Sequence, residues 1–394
     1  MKKNDLKLMI SKSVNSLGNI LYDYGNSSWL ASFGKVGKTY LGIYQLLDIL
    51  ISILINPFGG VFADRIKRRK ILLFTDALGA LVCLLISLIP SDNILVYGLI
   101  IVNVVLAISS SFSGPSYRSY VPEVISKDKI LSYNSRLETI VQVIKVSSPL
   151  LGLLVYSQVG IRMTLVIDSL TFFISFVCLY LIKEINQVTD MTKELTLSSI
   201  IIDMKEGLKY IRNEKEIFFL LILASVVNLF IAMMNYVFPF TPKLFHHSDA
   251  YASLLSAGAI GSILAGLIAS KIKSSMTSNL ILLGFSSLSL LLISLAPALG
   301  LPIIISYLGN LLFELFLTVF NIHFFSQVQE KVDKKYMGRV IATIYTIACL
   351  LMPFGIGFML VIPRSISIWT FASVGGALFG VTLCGKYYLV HIEK

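Results

Sequence analysis

Apolar runs long enough to cross a bilayer follow one another along almost the whole chain. A helix spanning the hydrocarbon needs roughly 20 mostly apolar residues. Runs of that length lie near 11–33, 40–62, 71–90, 94–115, 137–158 and 163–182, then near 217–240, 251–270, 278–297, 301–325, 339–361 and 366–390. Only 14% of the 394 residues are charged, against about 25% in soluble domains, so the bilayer has to act as solvent for most of the surface. In hydrocarbon the backbone polar groups must be satisfied internally, and continuous helix does this segment by segment. The expected fold is therefore an all-α polytopic membrane protein of twelve transmembrane helices in two six-helix bundles. The bundles cover 1–182 and 217–394, and 183–216 is a cytoplasmic linker between them.

The formal net charge of +11 raises nucleic acid as a partner, but the placement of the charges speaks for topology instead. With the N-terminus inside, the inner segments are 1–12, 65–70, 118–136, 183–215, 271–273, 331–339 and 386–394, and they hold 27 of the 33 Lys and Arg. The outer loops hold Lys35, Lys38, Arg162, Lys243 and Arg364, and Lys145 lies within a span. That asymmetry is the positive-inside pattern; it puts both termini in the cytoplasm of a cell membrane and makes a nucleic-acid partner unnecessary. The opening MKKNDLKLMISKSVNSLGN is too polar for a signal-peptide core, so the first span is expected to stay in the mature protein. Cys83, Cys178, Cys349 and Cys384 all sit in apolar spans without paired spacing, which implies neither a disulfide framework nor a metal site.

Ionisable groups inside the membrane cost about 2.5–3.5 kcal/mol each on insertion scales, so they are functional candidates by default. In the first span Asn15, Asn19, Asp23 and Ser27 recur every four residues and form one polar stripe. The second span carries Gln45, Asp48 and Ser52, the fifth Glu138, Gln142 and Lys145, and the tenth Asn310, Glu314, Thr318 and Asn321. Such stripes must face a wet cavity or one another. Asp76 and Asp168, in "TDAL" and "IDSL", are read as local hydrogen-bonding groups of the third and sixth spans. Asn103, Asn228 and Asn235 are read either as substrate contacts or as interhelical hydrogen bonds.

The linker contains "IIDMKEGLKYIRNEKEI" (201–217), whose apolar residues alternate with Lys205, Lys209 and Arg212 as in an amphipathic helix on the inner membrane surface. The two halves carry traces of duplication. Gly60-Val-Phe-Ala-Asp-Arg-Ile-Lys after the second span aligns without gaps with Gly266-Leu-Ile-Ala-Ser-Lys-Ile-Lys after the eighth, and "SYVPE" (119–123) corresponds to "SQVQE" (326–330). Parallel repeats of this kind are typical of transporters that rock two halves about a midplane site.

Twelve spans in a six-plus-six layout, with "GGVFADRIKRRK" (59–70) between the second and third, resemble the major facilitator superfamily. Gly60, Ala63, Asp64, Arg65, Arg68 and Arg69 match its signature G-x-L-a-D-r-x-G-r-k, with Phe62 and Lys67 replacing the Leu and the second Gly. "PSYRSYVPEVISKDKILSYNS" (115–135) and "EGLKYIRNEKEI" (206–217) resemble the macrolide-efflux and enterobactin-exporter-like branches. Pro149 and Gly152 match the Pro-x-x-Gly core of the exporters' antiporter motif, without the glycines that normally precede it. The resemblance implies a central cavity lined by spans 1, 4, 7 and 10, with Asp23 and Glu314 in its wall and Asn19 and Asn310 on the same stripes.

The expected function is proton-coupled export of a small amphiphilic, drug- or macrolide-like compound by alternating access. A carboxylate in a partly dry cavity can take up a proton on one side of the membrane and lose it on the other. Asp23 and Glu314 are the first candidates, with Asp48, Glu138 and Lys145 behind them, Lys145 as a counter-charge for Asp23 or Glu138. No cofactor is implied, since the proton gradient supplies the energy, and the partners are the substrate, protons and membrane lipid, with a monomer sufficing. At the inner end, Asp64 is expected to meet the positive N-terminus of the eleventh span at Gly338-Arg339, and Arg65, Arg68 and Arg69 to pair with Glu123, closing a cytoplasmic gate. The alternatives are export of a siderophore, peptide or lysophospholipid, or a non-transporting sensor or immunity protein of the same fold. "SFGKVGKT" (32–39) lacks the first Gly of a phosphate loop, "HHSD" (246–249) has poor ligand geometry, and Asn26-Ser-Ser lies inside a span. No catalytic constellation stands out, so an enzyme is not expected.

Overall fold

The computed structural model describes residues 3–126, 129–182, 197–332, 337–361 and 366–392. They divide into two compact units, Met1–Leu197 and Ser198–Lys394. The first contains α1 (Lys3–Ser32), α2 (Gly34–Arg65), α3 (Arg68–Ser87), α4 (Asp92–Val124) and α5 (Ile130–Tyr180). At 1.5 Å per residue the 51 residues of α5 would run for roughly 77 Å, more than twice the ~30 Å of hydrocarbon. It breaks at Gly160, whose φ of 72° and ψ of 179° are open essentially to glycine alone. α5 is therefore two spans joined by a one-residue corner.

The second unit contains α6 (Leu197–Asn213), α7 (Lys215–Val237), the short α8 (Thr241–Phe245), α9 (Ala250–Ile268), α10 (Met276–Ala298) and α11 (Ile304–Lys331). α12 (Met337–Cys349), α13 (Met352–Val361) and α14 (Trp369–Ile392) complete it. The run expected as a single span over 339–361 is split because Pro353 has no N–H and its ring clashes with the carbonyl four residues back, at Cys349. Among the described residues nine helices are long and apolar enough to cross a membrane. α5 counts twice, and α1 and α14 bring the crossings to twelve. α1 is not among the nine because its Asn, Asp and Ser residues dilute its apolar content.

The same pairs of spans pack in each unit. α2 lies on α4 as α9 lies on α11, α3 on α4 as α10 on α11, and α3 on the second limb of α5 as α10 on α14. Close approach at two of these seams depends on glycine. A Cβ at Gly59 would overlap the Ser111 carbonyl of α4, and one at Gly261 the Leu311 carbonyl of α11. "GGVFADR" is not a loop: α2 continues through it to Arg65, leaving only Ile66 and Lys67 before α3. The amphipathic segment is helical, and there Ile211 is fully buried while Lys205, Lys209 and Arg212 are exposed. Tyr210 Oη donates to the Lys331 carbonyl at 3.5 Å, tying α6 to the end of α11.

Candidate functional site

The first unit encloses a cavity of about 140 Å³ walled by polar side chains from α1, α2, α3 and α4, with Phe172 of α5. Three carboxylates line it, Asp23, Asp48 and Asp76, together with Asn15, Asn19 and Asn103, the Tyr22 ring, and Ser109, Ser110 and Ser113. No Lys or Arg is in the wall. Asn15, Asn19 and Asp23 share a helix face, so the stripe read from the sequence becomes one side of the cavity. Asp23 is exposed onto it and Asp48 is half-buried. An acid-lined void of this kind offers each water several hydrogen-bonding partners.

Helix contacts hold these groups in place. Asn103 Nδ2 of α4 donates to the Tyr44 carbonyl of α2 at 2.7 Å. The Tyr44 hydroxyl donates to Asp23 Oδ1 and accepts from Asn26 Nδ2, each at 3.4 Å. Asp76 accepts from Asn15 Nδ2 at 3.1 Å and from Ser175 Oγ of α5 at 2.5 Å. Asp168 sits deeper, against Gly18, where an added Cβ would come within 2.6 Å of its Oδ1. Asp168 accepts from Cys83 Sγ at 3.5 Å and from Thr171 Oγ1 at 3.3 Å. Both acids therefore hydrogen-bond between neighbouring helices, and Asp76 in addition lines the cavity. Gly152 packs on the residue after Asp23: its Cβ would stand 3.1 Å from Tyr24 Cβ, Cγ and Cδ1. Pro149, one turn earlier, is buried in the same limb of α5.

In the second unit the corresponding stripe faces a neighbouring helix. Asn310 Nδ2 donates to the Leu254 carbonyl of α9 at 2.7 Å, and Thr318 Oγ1 donates to Ser262 Oγ at 3.1 Å. Glu314 lies between them with Ser262 as its hydrogen-bonding partner. Gly258 makes room, since its Cβ would lie 2.8 Å from Asn310 Nδ2 and 2.9 Å from Glu314 Cγ. Asn321 is exposed. On α5, Glu138 accepts from Gln142 Nε2 at 2.7 Å and Lys145 is exposed. None of these three lines the acidic cavity.

At the end of the first unit that carries the basic run, Arg68 forms an ion pair with Glu123 of α4, as its sequence position suggested. Arg69 goes elsewhere, donating to the carbonyls of Leu179 and Tyr180. There it satisfies carbonyls that the end of α5 leaves free. The side chains of Gly60–Arg65 and of Arg339 lie outside the described residues, so the contact expected between Asp64 and the start of α12 does too. In "HHSD", His246 takes a left-handed φ of 55° at the end of α8, and Asp249 precedes α9.

Sequence reasoning placed Asp23, Asp48, Asn19 and Asn103 among the candidates and missed Tyr44 and the α4 serines. A signal was available for the serines: "ISSSFSG" (108–114) is a polar run inside an apolar span. Asp76 carried one as well. Leu72, Asp76, Gly79 and Cys83 share the buried face of α3, so the acid points into the bundle.

Comparison with known proteins agrees with this architecture. The family profile of the Major Facilitator Superfamily matches residues 8–356. Macrolide efflux protein A of Enterococcus faecalis is 26% identical over 340 residues, covering 82% of this chain and 100% of that protein. Macrolide efflux protein A of Streptococcus pyogenes is 25% identical over 333 residues, covering 80% and 78%. Among solved structures, a bacterial homologue of the iron transporter ferroportin in an inward-facing state has a TM-score of 0.76 at 14% identity, covering 99% of this chain and 98% of that one. The nucleoside transporter NupG has a TM-score of 0.74 at 13% identity over the full length of both chains. With the profile spanning most of the chain and the span pairings repeated in two helical units, this multi-pass membrane protein belongs to the Major Facilitator Superfamily of transporters.

Proposed function

We propose that the protein is a proton-coupled exporter of small amphiphilic, macrolide-like compounds, working by alternating access in the cell membrane. The observation that carries this reading is the acid-lined cavity, where Asp23 stands exposed beside Asp48 with no Lys or Arg in the wall. A carboxylate there alternates between a charged form that attracts a cationic amphiphile and a neutral form that releases it. Proton entry down the membrane potential supplies about 2.3 kcal/mol per charge per 100 mV, so no ATP site or cofactor is required. The two macrolide efflux proteins support the substrate class and the direction of transport. Glu314 is the second acid of the reading, held within its own unit by the α9 seam.

The test is accumulation of a radiolabelled macrolide in proteoliposomes under an imposed pH gradient. Asp23→Asn and Glu314→Gln are each expected to cut gradient-driven accumulation by about tenfold, the equivalent of 1.4 kcal/mol or more, while the variants still insert. Unchanged accumulation in both would remove the proton-site assignment. Drive by a sodium gradient in place of protons would overturn the coupling ion. If macrolides fail and a siderophore, peptide or lysophospholipid is moved, the substrate class is wrong and the transporter reading stands. A chain that binds ligand and accumulates nothing is a sensor.

A further inference from the structure

The acidic cavity has a polar way out that stays inside the first unit. Along α1, Asn15 lies eight residues before Asp23, which at 1.5 Å per residue places it about 12 Å nearer the end that holds the N-terminus. There Asp76 joins the cavity wall. Behind Asp76 a pair of hydroxyls continues in the same direction. Ser175 Oγ lies 2.5 Å from Asp76 Oδ2, and Ser11 Oγ lies 2.8 Å from Ser175 Oγ. Ser11 is 2% and Ser175 1% exposed, so these contacts are sheltered from competing solvent. The Ser–Ser contact can be donated from either side, as a hydroxyl wire requires. The Tyr22 side chain also lines the cavity, with its buried hydroxyl against that of Tyr44.

We propose that Asp76 with Ser175 and Ser11 forms the inner exit of the coupling proton, so that the proton leaves through the first unit alone. The proposal rests on proton coupling at Asp23 and adds the route. A proton held on the Asp23 carboxyl passes through cavity water to the Asp76 carboxylate. Protonated Asp76 then donates to Ser175 Oγ, whose own proton moves to Ser11 Oγ and on to the N-terminal end. Each oxygen gains one proton as it gives one up, and bulk water at the N-terminal end of α1 accepts the last. The groups facing Asp76 suit a transit station. Asn15 donates to one carboxylate oxygen and Ser175 to the other. Lys12 of α1 is within electrostatic reach, with Arg118 of α4 beyond it. Asp23 and Asp48 share the cavity.

Full-length protein in proteoliposomes tests this with the same macrolide under two regimes. In gradient-driven accumulation, Asp76→Asn is expected to lose about tenfold or more and Ser175→Ala several-fold, while Ser175→Thr, which keeps a hydroxyl, retains the wild-type rate. In equilibrium counterflow, which moves no net protons, Ser175→Ala and Ser175→Thr, whose residue lies outside the cavity wall, are expected to exchange macrolide like wild type. A merely structural role for Ser175 would lower both regimes together in Ser175→Ala and overturn the proposal, as would full gradient drive in Asp76→Asn. Failure of the wild type itself to follow the pH gradient would instead sink the functional reading. A second measurement needs no substrate. Infrared difference spectra of the purified protein between acidic and alkaline buffer should contain a carboxylic-acid band that disappears in Asp76→Asn and shifts in Ser175→Ala. Spectra identical to wild type in both variants would overturn the route.

Discussion

Two glycines measure how closely the helices of the first unit pack, and they respond differently to a methyl group. The neighbour of Gly59 is the Ser111 backbone carbonyl, which cannot move without moving α4. The neighbour of Gly152 is the Tyr24 side chain, where an added Cβ at 3.1 Å asks the ring to give by only a few tenths of an ångström. Overpacking a fitted seam costs about 1–3 kcal/mol. Gly59→Ala is expected at the upper end of that range and Gly152→Ala at or below the lower end, read as thermal unfolding midpoints of the purified variants in detergent. Equal midpoints would mean that the α2–α4 seam is looser than described. The same residue scale shows what the sequence could and could not reveal about the site. The four-residue spacing of Asn15, Asn19 and Asp23 places them on one helix face whatever else the chain does. That Asp76 enters the same cavity depends on the rotation of α3 against α1, which no single-helix pattern specifies.

The helices themselves were legible wherever apolar length alone decides, and less so where a backbone detail intervenes. Apolar runs put a boundary between 158 and 163, and the structure makes the turn at Gly160 alone, because its backbone angles reverse the chain within one residue. The end of α4 was less visible. Its helix continues past the expected 115 to Val124, since an unspanned turn of helix at the membrane edge still satisfies its own backbone. Outside the spans, side chains take over as fasteners. Asp249, just ahead of α9, receives hydrogen bonds from Ser253 Oγ at 2.8 Å and from Tyr307 Oη of α11 at 3.0 Å. Burial pushes its carboxyl up, but those bonds and the charge of His247 more than offset this and hold it below the usual carboxylate range. A depressed carboxylate contributes stability that is complete above its unfolded pKa and is lost as pH falls through the folded value. The α9–α11 tie should therefore survive mild acid and fail only below the ordinary carboxylate range. Tyr307→Phe should raise the Asp249 titration midpoint, read by carboxyl carbon NMR; an unmoved midpoint would show that the tyrosine contributes nothing to the tie.

For the whole molecule, duplication and charge asymmetry make separate statements, and together they specify a topology. The repeat of span pairings, α2–α4 with α9–α11 and α3–α4 with α10–α11, relates the units by sequence order, so equivalent ends carry equivalent segments. In the first unit that end carries Arg68, paired with Glu123, and Arg69 on the last carbonyls of α5. In the second, Ser274 occupies the place of Arg68 and accepts from Gln327 Nε2 at 2.9 Å, in the segment that repeats "SYVPE". The position equivalent to Arg68 is therefore neutral in the second unit, where the described ion pair at the end of α11 is Lys331 with Glu216. Positive charges resist translocation wherever they occur in short loops, and 27 of 33 fall on one side in the twelve-span reading. Both termini should thus be cytoplasmic. A green fluorescent protein fused after Lys394 should fluoresce, and alkaline phosphatase fused there should be silent, with the reverse for fusions in the short segment around Lys243. Replacing Lys67, Arg68, Arg69 and Lys70 together should weaken the orientation of the first hairpin more than replacing Lys271 and Lys273 weakens that of the α9–α10 hairpin, because twice as many charges are removed. An active phosphatase at the C-terminus of the unaltered chain would mean that charge does not orient this protein.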